Sequence, residues 1–210
     1  MARVTAAEAA RTRERLLDAA LEVFWEEGLA RPSLTKVAAR AGMTRGAIYG
    51  HFANKSALFS DLCDRYLLPA AVLAEIREAR ADDPLGALVD WATSVLHKAH
   101  HDRAFRMLVE ILFLGCEAVE GDAIHERLVT DATRARHHEQ ELLQQAVALG
   151  QLPEDLDVPL AAITLHAMVG GHLRFFALNR EVDATPVIAR IGAVVLDLLR
   201  GDALRTPRGR

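Results

Sequence analysis

The sequence predicts an all-α protein: a small N-terminal helix-turn-helix unit, a long fourth helix, and a larger helical body, about nine helices in all. Three observations carry this. Ala and Leu dominate while aromatics are only 5% of the 210 residues, and β-branched runs are rare, a composition that favours helix. Cap and stop signals recur at helical spacing, from Thr5 and Ser33 to Asp83-Pro84 and Gly150. Hydrophobic residues make up 51% and charged ones 26%, the balance of a folded globular chain with a real core.

Thr5 and Glu8 have the spacing of a capping box. The first helix runs from there to about Gly28, with Leu16, Leu17, Ala20, Leu21, Val23 and Phe24 as its apolar stripe. Arg11, Arg13 and Arg15 sit near its start, where cations oppose the helix dipole; a nearby phosphate or simple solvation can account for them. Arg31-Pro32 reads as an extended step. Ser33 caps a second helix over about Leu34–Ala41, Gly42 makes the turn, and Thr44 caps a third of barely two turns, about Arg45–His51. Val37, Ala38, Ala41, Met43 and Ile48 are its packing positions. A polar-faced helix this short, locked behind a tight turn, is the form that enters the DNA major groove.

The charge distribution agrees. The net charge is −4 overall, yet residues 1–60 carry nine Lys/Arg against six Asp/Glu, a net +3, which leaves the rest at −7. An electropositive head on an acidic body suits a phosphate-facing end. Thr44 and Arg45 stand at the end of the third helix that meets base edges, Gly46 lets the backbone approach, and Tyr49 and His51 can reach phosphates. Core packing is the competing reading for Tyr49, and local packing beside Phe52 for His51. Asn54 caps the fourth helix, with Lys55 at its start as a phosphate clamp; Ser33 and Lys36 occupy the equivalent place on the second helix.

The fourth helix is expected to run as one rod from Lys55 to about Arg80, its early apolar residues packing on the head and its later ones on the body. Helices are expected over about Leu85–His100, Asp102–Gly115, Asp122–Leu149, Asp157–Asn179 and Pro186–Leu199. The domain boundaries fall at 1–55, 56–203 and a disordered basic tail at 204–210. No apolar run approaches the ~20 residues of a membrane helix. No signal peptide is visible. Cys63 and Cys116 read as reduced, buried thiols, so the expected location is cytoplasmic. Nine histidines raise a metal site around His97, His100 and His101, but no carboxylate or thiolate stands at matching spacing, and solvated histidines are the simpler reading. No metal and no cofactor is expected. No nucleophile–base set, phosphate loop or carboxylate pair suggests an enzyme.

The stretch TRGAIYGHFANKSALF closely resembles the recognition helix and following helix start of TetR/AcrR-type transcriptional repressors. The resemblance is strongest over Ala9–Leu68. It continues more weakly through DPLGAL, EILFLGCE and GQLPEDLD, as in the multidrug-efflux regulators of that group. It implies a homodimeric repressor of a palindromic double-stranded operator, released by a small apolar or aromatic effector. A metal-responsive or metabolic regulator of the same fold, or a helical enzyme, is the alternative. It implies that the DNA contacts come from Ser33, Lys36, Thr44, Arg45, Gly46, Tyr49, His51 and Lys55. It points to an effector pocket of Leu88, Trp91, Val95, Val109, Phe113, His166, Val169 and Leu173. The last two helices are expected to pair subunits through Leu165, Gly170, Phe175, Ile188, Ile191, Val195 and Leu198; burial against their own body is the competing reading.

Overall fold

A computed structural model of the chain describes residues 5–66, 69–115 and 123–206. Among these, eleven α-helices account for the fold, and no strand is present beyond one isolated bridge. The chain divides into two compact units, Met1–Tyr66 with Ala104–Arg127, and Leu67–Arg103 with Leu128–Arg210.

The first unit is built on α1 (Ala6–Glu27). Thr5 and Glu8 close the capping box in both directions, and Gly28 ends the helix at φ 76° but ψ 171°, positive φ without the helical ψ of an αL cap. Leu16, Leu17, Ala20, Leu21, Val23 and Phe24 are all buried and face α2 (Leu34–Arg40) and α4 (Lys55–Tyr66). Between them stands α3 (Arg45–Tyr49). From α4, Leu58, Phe59 and Leu62 are fully buried. Trp25 Nε1 donates to the buried Glu110 at the end of α7 (Arg103–Glu110). A π-helical turn over Ile111–Gly115 follows α7, where a plain helix to Gly115 was expected. Arg127 donates to Ser60 and Asp64, each at 2.6 Å.

Of the rod expected from Lys55 to about Arg80, the described parts are α4 and α5 (Pro69–Ala79). Leu67 and Leu68, the residues between, lie outside the described residues, as does Cys116. Cys63 is buried.

In the second unit α6 (Pro84–His101) is the central rod, flanked by α5, α9 (Val158–Leu178) and α11 (Ile191–Arg200). Asp83 caps α6 through Gly86 N at 2.9 Å, with Pro84 in its first turn. Leu85, Leu88, Trp91, Ala92 and Val95 form the buried stripe of α6. Gly192 lets α11 approach: a Cβ there would stand 2.9 Å from Val89 Cγ1. The long α8 (Ala123–Ala148) turns Ala135, Leu142, Leu143 and Ala146 inward, and its Glu141 pairs with Arg77 of α5.

Three more expectations need correction. The last predicted helix is two, α10 (Thr185–Ile188) and α11. The tail is fixed further than expected: Leu204 is buried, Asp157 N donates to Leu204 O at 2.8 Å, and Thr206 N donates to Asp155 O at 2.8 Å. Arg205 pairs with Asp155 at 3.3 Å; residues 207–210 lie outside the described residues. Finally, α9 is 21 residues with a window of mean hydropathy 1.2, enough by length and composition to cross a bilayer, against the expectation that no run comes close. Ala161, Ala162, Leu165, Val169, Leu173 and Ala177 of this helix are buried within the second unit, and α6 takes part in that packing.

Candidate nucleic-acid interface and effector side

The reader is assembled by local rules. Ser33 Oγ accepts from Lys36 N at 3.3 Å, and Thr44 Oγ1 from Ala47 N at 3.2 Å, two side-chain caps on neighbouring short helices. Gly42 holds φ 67°, a value that L side chains rarely adopt, and Met43 N donates back to Ala38 O at 2.8 Å. Val37, Ala38 and Ile48 are at most 1% exposed, and Phe52 behind them is as deeply buried. Ala41 and Met43 are only partly covered.

Of the five residues of α3, only Ile48 is buried. Thr44, Arg45, Gly46 and Tyr49 face outward, with Tyr49 48% exposed, so Tyr49 is not a core aromatic. The Arg45 guanidinium lies 5.5 Å from the Tyr49 ring centroid, a cation–π distance, and no acidic group among the described residues pairs with it. A Cβ at Gly46 would meet only Thr44 Oγ1, at 3.9 Å, so packing within the protein does not require the glycine. His51 is half-buried beside Phe52, ring centroids 6.3 Å apart.

Several other cations of this unit are engaged internally. Lys36 pairs with Glu27 at 2.6 Å, and Lys55 Nζ donates to Ala30 O at 2.7 Å. Lys55 has three donors, so that bond leaves two for a phosphate. Asn54 Oδ1 caps α4 through Ala57 N at 2.8 Å. Arg40 bridges Glu22 and Glu26; its hydrogen bond holds the Glu26 carboxyl below the usual carboxylate range. Arg13 stacks over Phe52 and pairs with Asp61, and Arg15 donates to Ala41 O at 2.9 Å. These two arginines, suspected of phosphate contact, tie α1 to α4 and to the end of α2.

On the effector side, Leu88, Trp91 and Val95 of α6 and Val169 and Leu173 of α9 are buried in the second unit. Val109 is buried and Phe113 half-buried in the first. His166 is part-exposed, and its Nδ1 lies 3.0 Å from Oε1 of Glu139, a carboxylate with no exposure at all. Sequence reasoning missed Glu139; its one signal was an acid in the apolar stripe Ala135–Leu142–Leu143–Ala146. His97 and His101 lie close, ring centroids 4.2 Å apart and tilted by 41°. Desolvation, then repulsion from His97 and His100, lowers the His101 pKa. Among the described residues no group of three or more His, Cys, Asp or Glu converges as a metal site.

The subunit-pairing residues divide. Leu165, Ile191 and Val195 are fully buried in their own unit, at most 1% exposed, so that part of the expected interface is core. Gly170, Ile188 and Leu198 are partly exposed and Phe175 is 48% exposed. The outward apolar side chains are Leu160, Ile163, Phe175, Leu178, Val182 and Val194. An open apolar groove of about 410 Å³, lined by Met168, Phe175, Phe176 and Val187 among others, adjoins them.

A buried-backed, solvent-facing second helix of a helix-turn-helix defines a DNA-binding regulator. Comparison with known proteins makes this specific: residues 16–62 match the family model "Bacterial regulatory proteins, tetR family", and residues 83–184 match "MAATS-type transcriptional repressor, C-terminal region". The chain is 34% identical over 203 residues to the regulator TtgR of Pseudomonas putida, covering 95% of this chain and 97% of that one. It superposes on NalD, the secondary repressor of the MexAB-OprM multidrug efflux pump of Pseudomonas aeruginosa, with TM-score 0.81, 27% identity and coverage of 93% and 99%. It also superposes on the SmeT–triclosan complex with TM-score 0.79, 30% identity and coverage of 95% and 96%; SmeT represses a Stenotrophomonas maltophilia multidrug efflux pump. The chain belongs to the TetR family of bacterial transcriptional regulators.

Proposed function

We propose that this protein is a homodimeric, ligand-responsive repressor that binds a palindromic operator in the cytoplasm and is released by a small apolar or aromatic effector. The α3 face carries this reading: a rigid five-residue helix exposing Thr44, Arg45, Gly46 and Tyr49, fixed from behind by Ile48. Arg45 suits a base edge or phosphate; Tyr49, His51, Lys55, Ser33 and Lys36 suit the backbone. Pairing of two copies supplies two such helices about 34 Å apart for successive major grooves. The apolar face of Ile163, Phe175 and Leu178 favours that pairing, as do Gly170 and Gly171, where an added Cβ would meet nothing within 4 Å of its own chain.

Release follows from an effector that prefers one state of the dimer; only such a difference in affinity shifts an equilibrium. The relatives named as efflux-pump repressors favour control of an efflux system. Fluorescence anisotropy on DNA adjoining the protein's own gene tests the reading. Tyr49→Phe and Lys55→Ala are expected to weaken binding, Lys55→Ala also lowering the salt slope by about one. Unchanged affinity in both variants would refute it.

A further inference from the structure

Arg31 stands in the loop between α1 and α2. It is exposed, and among the described residues it makes no hydrogen bond, ion pair or ring contact. Its backbone, by contrast, is held on both sides. Leu29 is 4% exposed and Pro32 is buried, and a proline restricts the residue before it to extended geometry. Lys55 Nζ donates to Ala30 O at 2.7 Å, which ties the loop to the first residue of α4. The Arg31 side chain therefore leaves the backbone one residue from the carbonyl on which Lys55 docks. Neither cation has an acidic partner among the described residues. Arg13, Lys36 and Arg40 differ: each ends on a carboxylate of its own chain. Two unneutralised positive charges held at one loop repel each other, and an anion bound beside them relieves that repulsion.

We propose that Arg31 is a phosphate clamp of the operator site, its guanidinium taking a DNA backbone phosphate next to the one that Lys55 takes. This rests on the operator-binding reading above and adds a residue to it. The planar fork of an arginine matches phosphate oxygens bidentately. A contact of this kind fixes affinity and register and carries no sequence information, which separates Arg31 from the exposed face of α3, where bases are read.

The test is fluorescence anisotropy of the full-length protein on DNA adjoining its own gene and on an unrelated duplex of equal length, between 50 and 200 mM salt. Each phosphate contact contributes about 0.9 to the slope of log K against log salt. Arg31→Gln is expected to lower that slope by about 0.9 on both duplexes, so that the affinity ratio of parent to variant shrinks about 3.5-fold across this range. Combined with Lys55→Ala the fall should be about 1.8, one contact for each residue. Arg31→Lys keeps the charge and should keep the slope. Arg190→Gln removes an exposed arginine of the second unit and should leave the slope unchanged. A slope unchanged by Arg31→Gln, an equal fall in Arg31→Lys or Arg190→Gln, or weakening confined to the operator overturns the proposal while the repressor reading stands. Failure of the unsubstituted protein to bind either duplex sinks the repressor reading, and this inference with it.

Discussion

The helices α3 and α9 bury hydrophobic residues by opposite rules. In α3 a single side chain, Ile48, is buried and the rest of the helix is left for a partner. In α9 one face is core, from Ala161 to Ala177, and the opposite face carries Leu160, Ile163, Phe175 and Leu178 in solvent. A helix apolar on one side needs only its own domain; a helix apolar on both needs something more. The reader is thus specified by what it shows, and the proposed pairing face by what its own chain leaves uncovered.

Ile48→Ala attacks the first rule and should have the largest effect, about 2–5 kcal/mol of stability, as for other fully buried aliphatic truncations. Thermal denaturation reads it, with loss of operator binding alongside. Ile163→Asp attacks the second. Its expected outcome is a monomer by light scattering, whose helical content is unchanged because Ile163 is 52% exposed. Leu165→Asp, two residues away and fully buried, should instead unfold the second unit; equal behaviour of the two would erase the distinction between the faces.

The head was legible because its determinants are local. Thr5 with Glu8, Ser33, Gly42, Thr44 and Asn54 each act within about four residues of themselves, so spacing alone locates them. The body was legible as helices but not as faces. Leu165 and Ile163 look alike in sequence, and only the docking of α9 separates core from surface. The break between α10 and α11 has no Gly or Pro at Ala189-Arg190 to announce it. The pairs Arg13–Asp61 and Glu139–His166 join residues far apart in sequence, where no spacing rule reaches.

Smaller effects sharpen the same comparison. Thr44→Ala removes the cap of α3 and should reduce stability by about 1 kcal/mol, while operator affinity falls further because the exposed face of α3 loses its fixed start. In the body, the hydrogen bond from Gly86 N, then those from Gln151 and Arg80, holds the Asp83 carboxyl below its usual range. A depressed pKa stabilises the fold above the ordinary carboxylate range, and that contribution is lost as pH falls through the folded value. Acid titration of Asp83→Asn should therefore show a smaller loss of stability below about pH 4 than the parent, with little difference between the two slopes above about pH 6.

The central claim is that the exposed face of α3 reads DNA and that pairing presents two copies of it at once. Hydroxyl-radical footprinting on the operator tests both together. The expected pattern is two protected patches related by two-fold symmetry, their centres one helical turn or a small multiple apart, about 10 base pairs per turn, and both lost in Ile163→Asp at the same protein concentration. A single unpaired patch, or an unchanged double footprint from the Ile163→Asp monomer, would contradict it.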